Sequence, residues 1–232
     1  MTEYNVRSER AEEFIHDVIA LAICSMTMMA ADLHVGDLYY DITAIEGGYA
    51  AKIVYDPSYT ELDSIEIPNY VTYRGLDLPI IIGANAFKQC KKLAYVYIPY
   101  GVIGVEYSAF WGTALYDNPA NWDNGALTID GCLIRASRYI PTNYRINNFV
   151  RLIADHAFDG CRSLESVTIP STVEHIGYHA FIFYGCDAHL LAAIRFNGTK
   201  KHWNWINKDE DWVADCDELD ITIHCKIGKV KY

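Results

Sequence analysis

Short stretches in which apolar and polar residues alternate recur along the chain. The clearest are LAYVYIP at 93–99 and LESVTIP at 164–170, with further copies at 62–68 and 191–196 and a degenerate one at 143–148. In V-x-I the two apolar side chains lie on one face of a strand, and a following proline has no N–H with which to continue a ladder. The pattern therefore predicts five strands stacked in chain order, at 63–67, 94–98, 144–146, 165–169 and 192–196.

A second apolar phrase follows most of these stretches and ends in Ala-Phe. The four phenylalanines are Phe87, Phe110, Phe158 and Phe181, and successive members are 23, 48 and 23 residues apart. A unit this short cannot bury its apolar face alone, so successive units must stack as the coils of a solenoid. We expect the four rings to be buried in one column.

The cysteines follow the same spacing. Cys90 and Cys161 stand three residues after a column phenylalanine, and Cys186 is a displaced copy. Buried cysteine behaves as a small apolar residue, which favours a structural ladder over redox or metal chemistry. The chain has seven cysteines and no C-x-x-C pair, which argues against a disulfide framework or a zinc knuckle.

The repeated phrases, with their 23-residue period, resemble the repeats of the BspA-type leucine-rich repeat family. The resemblance implies an α/β, mostly β fold: a short right-handed solenoid of parallel strands, with an N-terminal β-hairpin cap and a C-terminal cap that contains a helix. It divides the chain into an N-terminal helix or signal-like segment (1–35), a capping hairpin (36–60), repeats (61–196) with an insertion at 111–139, and a C-terminal capping unit (197–232). Glu106 and Ala154 stand where other coils have Gly83 and Gly177, so local irregularity is expected there.

Turn and cap signals refine these assignments. Asp130-Gly131 predicts the turn of a hairpin within the insertion, and Glu46-Gly47-Gly48 is expected in the turn of the N-terminal hairpin that the resemblance implies. Asn197-Gly198-Thr199 predicts a turn into a helix whose N-cap is Thr199. Trp203 and Ile206, three residues apart on that helix, are expected to pack on the last coil.

The N-terminal stretch VIALAICSMTMMAA (18–31) is uncharged and supports two interpretations. Its length and apolarity fit the core of a signal peptide, whereas the acidic residues before it do not. Alternatively, one stripe of a packed amphipathic helix is formed by Phe14, Ile15, Val18, Ile19 and Ala22. A signal would place the protein outside the cell or at its surface, the location that the resemblance implies, and a packed helix is compatible with the cytoplasm. The stretch is too short for a transmembrane helix, so none is expected.

The net charge and the lack of known catalytic motifs argue against several classes of function. The formal net charge is −11, and nucleic-acid binding depends on cationic contacts to phosphate, so a nucleic-acid partner is not expected. No P-loop, nucleophile elbow or dinucleotide fingerprint occurs, and the sequence predicts neither enzymatic activity nor a bound cofactor.

Two clusters contain residue types that bind metals, but neither is expected to hold a metal ion. His156 and His179 share one repeat position, so adjacent coils would place them about 5 Å apart, but two nitrogens make a poor zinc site. We expect exposed turn histidines. The acidic stretch at 209–220 lacks the glycine and terminal glutamate of an EF-hand loop, which favours a solvated face over calcium binding.

The outward positions of the first strand phrase are the candidate contact residues. Aligning the coils gives two columns that supply the candidate partner-binding residues: Glu66, Tyr95, Tyr97, Asn143, Arg145, Ser166, Thr168 and Arg195. Tyrosine and arginine are favoured in protein interfaces, so we expect Tyr95 and Tyr97 to be exposed near Arg145. The sequence thus favours a non-enzymatic module that binds a protein or a glycan, with adhesion implied by the resemblance. The alternatives are an accessory binding domain of a carbohydrate-active enzyme system and a purely structural stalk unit.

Overall fold

The computed structural model describes residues 31–181, 193–213 and 222–231. Apart from Ala31, these residues belong to the compact unit Asp32–Tyr232. The signal-like segment at 18–31 therefore lies outside the described residues but for its last position, as do Cys186 and the acidic residues 214–220. No helix in the described part of the chain has both the length and the apolarity needed to cross a membrane.

The described chain is built from short strands. In chain order they are β1 (Leu33–Val35), β2 (Leu38–Ile45), β3 (Gly48–Ile53), β4 (Ser64–Glu66), β5 (Val71–Tyr73), β6 (Leu76–Leu78), β7 (Ile80–Ile82), β8 (Tyr95–Tyr97), β9 (Val102–Val105), β10 (Trp122–Asp123), β11 (Ala126–Ile129), β12 (Cys132–Ala136), β13 (Asn143–Arg145), β14 (Leu152–Ile153), β15 (Ser166–Ile169), β16 (His175–Ile176), β17 (Ala193–Thr199), β18 (Asn207–Lys208), β19 (Thr222–Ile227) and β20 (Lys229–Lys231). The α-helices are α1 (Ala114–Asp117) and α2 (Lys200–Trp205), and 3-10 turns cover Pro57–Glu61 and Pro119–Asn121.

The strands of the V-x-I phrase form two parallel ladders. β4 pairs with β8, and β13, β15, β17 and β19 pair in that order, with β20 added antiparallel. The predicted strands are confirmed to within a few residues, but the prediction that all five stack in chain order is wrong. The insertion separates β8 from β13, because the turn at Asp130 occupies the edge of β8: the Ile98 N–H donates to the Asp130 carboxylate (2.8 Å).

The strands of the second phrase are divided at the same place. β3, β7 and β9 pair in parallel, and so do β12, β14, β16 and β18. Each ladder starts from the second strand of an antiparallel hairpin, β2–β3 in the first case and β11–β12 in the second. The hairpin predicted around Asp130-Gly131 is thus confirmed. Its strand β12 starts the ladder of β12, β14, β16 and β18, as β3 of the N-terminal hairpin starts the ladder of β3, β7 and β9.

The phenylalanines are buried but do not form one column. All four are almost fully inaccessible to solvent, in keeping with prediction. Phe87 stacks on Phe110 with ring centroids 5.5 Å apart, and Phe158 stacks on Phe181 at 4.8 Å. The column is therefore two stacked pairs, one in each half of the repeat array. Cys90 and Cys161, three residues beyond Phe87 and Phe158, are buried as the cysteine ladder predicts.

A buried arginine connects the two halves. The Arg151 guanidinium donates to the carbonyl oxygens of Val102 (2.8 Å) and Pro99 (2.7 Å). Hydrogen bonds to charged groups stabilise more than neutral ones, and a buried charge must be satisfied in this way. Arg151 follows the insertion, whereas both acceptors precede it, so the bonds join the first ladders to the second across the interruption.

The C-terminal part of the described chain differs from the sequence prediction at one place. Asn197, Gly198 and Thr199 are not a turn but the end of β17, where a Cβ on Gly198 would lie 2.4 Å from the Phe196 ring. Thr199 caps α2 as predicted, since its hydroxyl accepts from the His202 N–H at 3.1 Å. The side chain of Trp203, on that helix, is buried, as is that of Ile206 just beyond it.

Candidate interaction surface

Tyr95 and Tyr97 stand side by side on the outer face of β8. They are 55% and 45% exposed, while Val96 between them is 2% exposed, as the inward and outward alternation of a strand requires. On the neighbouring strand Ser64 lies opposite Tyr95, and Glu66 lies opposite Tyr97. We call Ser64, Glu66, Tyr95 and Tyr97 the tyrosine face.

The other candidate contact residues lie on the second ladder. In the aligned columns Asn143, Ser166 and Ala193 face one another across β13, β15 and β17, and so do Arg145, Thr168 and Arg195. Asn143, Arg145 and Arg195 are exposed, and Thr168 is half-buried.

One expectation about these residues is wrong. Ser166 is 6% exposed, because its short side chain lies on the central strand and its hydroxyl donates to the Asn143 amide oxygen (2.6 Å). Tyr97 and Arg145 lie on strands that do not pair with each other, because the insertion ends the first ladder at β8. The candidate residues thus belong to two ladders, with the tyrosines on the first, and the proximity of Tyr97 to Arg145 stays a prediction.

A further edge of the array is formed by the turns that precede Phe87, Phe110, Phe158 and Phe181. One residue of each turn has a left-handed backbone: Asn85 (φ 58°), Ser108 (58°), His156 (53°) and His179 (51°). Asparagine and histidine tolerate this conformation better than most residues. The rings of His156 and His179 are 5.2 Å apart, as the repeat register predicts. Tyr178 stacks on His179 at 3.6 Å, which makes this edge aromatic.

An open groove of about 650 Å³ lies beside that edge. We call it the acidic groove, since Glu106, Asp155 and Asp209 line it together with Lys52. The Glu106 carboxylate is bound by the Lys52 ammonium (2.5 Å) and by the Ala84 N–H (2.9 Å). Glu106, which stands where other coils have a glycine, thus binds its coil to residues that precede it in the array.

Asp155 is the most perturbed carboxyl of the groove. It accepts the Tyr178 N–H at 2.9 Å. Burial, followed by the nearby Asp209 carboxylate, raises the pKa of Asp155 to about 7. Partial burial also raises the pKa of Asp209, although that residue is exposed at the rim of the groove. Burial is the main cause of both increases, and the neighbouring Glu106 carboxylate adds to each of them.

Two of the groove carboxylates are engaged by the protein itself. Glu106 and Asp155 bind backbone N–H groups of adjacent coils, which is a structural use of a carboxylate. Across residues 31–181, 193–213 and 222–231, no three His, Cys, Asp or Glu side chains come together as metal ligands.

The sequence matches a model of the BspA type leucine rich repeat region in six copies, over residues 57–119 and 136–201. These segments make up more than half of the 232 residues. The chain belongs to the BspA-type leucine-rich repeat family. The BspA-type match stops at 119 and resumes at 136, so the hairpin turn at Asp130 falls in the unmatched interval.

Two solved structures are similar to this BspA-type chain. One is a leucine rich cell surface protein from Faecalibacterium prausnitzii A2-165, with 17% sequence identity and a TM-score of 0.25; the match covers 80% of this chain and 99% of that one. The other is a leucine-rich repeat protein from Bacteroides ovatus ATCC 8483, with 15% identity and a TM-score of 0.26, covering 84% of this chain and 71% of that one. No significant match was found among curated proteins.

The acidic groove was not predicted from the BspA-type pattern, although one signal pointed to it. Glu106 departs from the repeat at a glycine position, and that departure marks the groove. Asp155 gave no such signal, because its environment is made by Gly177 and Asp209 from later coils. A Cβ on Gly177 would lie 2.3 Å from the Asp155 carboxylate, so the glycine makes room for it.

Proposed function

We propose that this chain is a non-enzymatic interaction module that binds a protein partner through the tyrosine face. Membership of the BspA-type family supports an interaction or surface module in general. The observation that carries the specific proposal is the exposure of two adjacent tyrosines on one short strand, 55% and 45%. Tyrosine is enriched among residues that dominate binding energy, since it offers a large apolar ring together with a hydroxyl.

The location of the tyrosine face also supports a protein partner. The face is open and strand-lined rather than a deep pocket, as expected for a broad macromolecular contact and not for a small substrate. Val96 supplies the buried contact of β8, so the two rings are free to serve binding without serving the core. We further propose that the protein acts outside the cell or at its surface, as the resemblance to the BspA-type family implies.

The direct test is the double variant Tyr95→Ala/Tyr97→Ala of the full chain. Binding would be measured against a panel of purified extracellular matrix proteins and against a glycan array. We expect a protein ligand whose affinity falls by more than about thirtyfold in the variant, the effect of losing hot-spot residues. The melting temperature should change little.

The matched control is Tyr55→Ala/Trp205→Ala, which removes two exposed aromatic rings elsewhere and should leave binding intact. Equal loss in both double variants would contradict the proposal. Binding to glycans alone would replace the protein partner with a carbohydrate. A collapsed melting temperature in the Tyr95→Ala/Tyr97→Ala variant would place the rings in the core. A chain that binds nothing on either panel would favour the stalk alternative.

A further inference from the structure

We propose that the insertion forms a second binding surface, a groove that takes an acidic segment of a partner protein. This insertion groove has a volume of about 1050 Å³. The aromatic and cationic side chains in its lining are those of Tyr116, Trp122, Arg135, Arg138, Tyr139 and Arg162. It lies between the insertion and the turn of the next coil, at a place that the repeat pattern alone does not create.

The aromatic side of the groove is fixed by hydrogen bonds. The Trp122 indole N–H donates to the Tyr116 carbonyl oxygen at 2.8 Å, and the two rings meet edge to face at 5.2 Å. The Asn121 amide donates to the Leu115 carbonyl oxygen at 2.8 Å, which holds the same loop. A rigid aromatic wall binds a ligand with little loss of conformational entropy.

The cationic side has one anchored and two available guanidinium groups. Arg135 donates to the carbonyl oxygens of His156 (2.6 Å) and Asp159 (2.8 Å), so it is committed to the fold. Arg138 and Arg162 are exposed, and within the described residues no carboxylate lies within ion-pair distance of either. The Arg138 guanidinium lies over the Tyr139 ring, 5.4 Å from its centroid, so cation and ring are presented together.

Charge complementarity identifies the occupant. The groove is lined by three arginines and two aspartates, Asp117 and Asp159, in a chain whose formal net charge is −11. An acidic segment is repelled by most of this surface and by the acidic groove above all, so the insertion groove is where it can dock. Arginine binds carboxylates in a bidentate manner, and Trp and Tyr supply apolar contacts to a peptide.

The test uses a fluorescein-labelled hexaglutamate peptide and the full chain, with fluorescence anisotropy as the readout. We expect saturable binding that weakens as salt is added, because screening acts on exposed charges. Arg138→Glu/Arg162→Glu should reduce the affinity at least about tenfold, as expected for reversing two contact charges. Arg138→Lys/Arg162→Lys keeps the charge and should lose less.

The control variant Lys91→Glu/Lys226→Glu makes the same change in net charge at two exposed positions outside the groove. It should bind the peptide as the parent does. The proposal is overturned by an equal loss in this control, by the absence of binding at millimolar peptide in low salt, or by selective binding of a sulfated oligosaccharide in place of the peptide. A circular dichroism spectrum like the parent's is required of each variant, and if the glutamate variant fails to fold, the lysine variant and Trp122→Ala take its place with a loss expected in both.

Discussion

The backbone N–H of Ile98 donates to the carboxylate of Asp130, 2.8 Å away. At the matching positions of other coils, the Ile67 N–H donates to the Tyr97 carbonyl oxygen (3.1 Å) and the Ile146 N–H to that of Thr168 (3.0 Å). Asp130 thus replaces the carbonyl group of a neighbouring strand. A side chain from the insertion therefore takes the place of a further strand here, and the tyrosine face lies on two strands.

Asp130→Ala should lower the free energy of unfolding by about 1–3 kcal/mol, because it leaves the N–H of the buried Ile98 without its acceptor. Asp130 also has a left-handed backbone (φ 44°), which alanine adopts poorly. Asp130→Asn is the control, since asparagine keeps an oxygen acceptor and tolerates this conformation. Urea denaturation should show a clearly smaller loss for asparagine. Equal losses would mean that the hydrogen bond to Ile98 contributes little.

Phe158→Ala should cost about 3–5 kcal/mol of stability, the usual effect of truncating a buried phenylalanine. The ring is fully buried and stacks on Phe181 at 4.8 Å. Phe149→Ala makes the same chemical change at a residue that is 59% exposed and should cost well under 1 kcal/mol. A loss under about 1 kcal/mol at Phe158 would show that the coils are not packed as described.

Gly177→Ala should destabilise the protein by more than about 1 kcal/mol, because the new methyl group meets the Asp155 carboxylate at 2.3 Å and backbone atoms at 2.8 and 3.0 Å. Gly48→Ala is the matched substitution at a glycine with open space around the added carbon and without a positive φ. It should be neutral or slightly stabilising. Thermal unfolding of both variants gives the comparison, and a neutral Gly177→Ala would contradict the described approach of Asp155.

Asp155 should make stability depend on pH. Its pKa is raised from 3.8 to about 7 in the folded protein, so the folded state holds a proton that the unfolded state releases. The stabilising effect of this proton is complete below pH about 4 and is lost as the pH rises towards and through 7. Asp155→Asn should therefore be more stable than the parent at pH 8, by more than about 1 kcal/mol, and the difference should vanish near pH 4.

The measurement is urea denaturation of parent and Asp155→Asn across this pH range. Asp41→Asn, on the exposed side of β2, is the control and should follow the parent curve. A difference between parent and Asp155→Asn that stays constant from pH 4 to 8 would show that the carboxyl does not change its protonation state in this window.

The local repeat could be predicted from residue types alone. V-x-I, Ala-Phe and the cysteines three residues later are constrained by burial within one coil, so their spacing is visible in the sequence. The same holds for the cap at Thr199 and for the turn at Asp130-Gly131, whose backbone demands act within a few residues. These features predict the strands, the burial of the phenylalanine rings, the hairpin and the outward orientation of Tyr95 and Tyr97.

The relations between coils were decided only by the tertiary structure. The sequence gives no sign that the Asp130 carboxylate meets the Ile98 N–H, or that Arg151 reaches back to Val102, because these bonds join residues that the insertion separates. The first bond lies where the ladder of β4 and β8 ends, and the second joins the two halves of the repeat array. The raised pKa of Asp155 and the grouping of the arginines in the insertion groove likewise depend on contacts between residues far apart in sequence. A side chain's environment is set by neighbours distant in sequence, whereas a repeat pattern records only which side of its own coil each residue occupies.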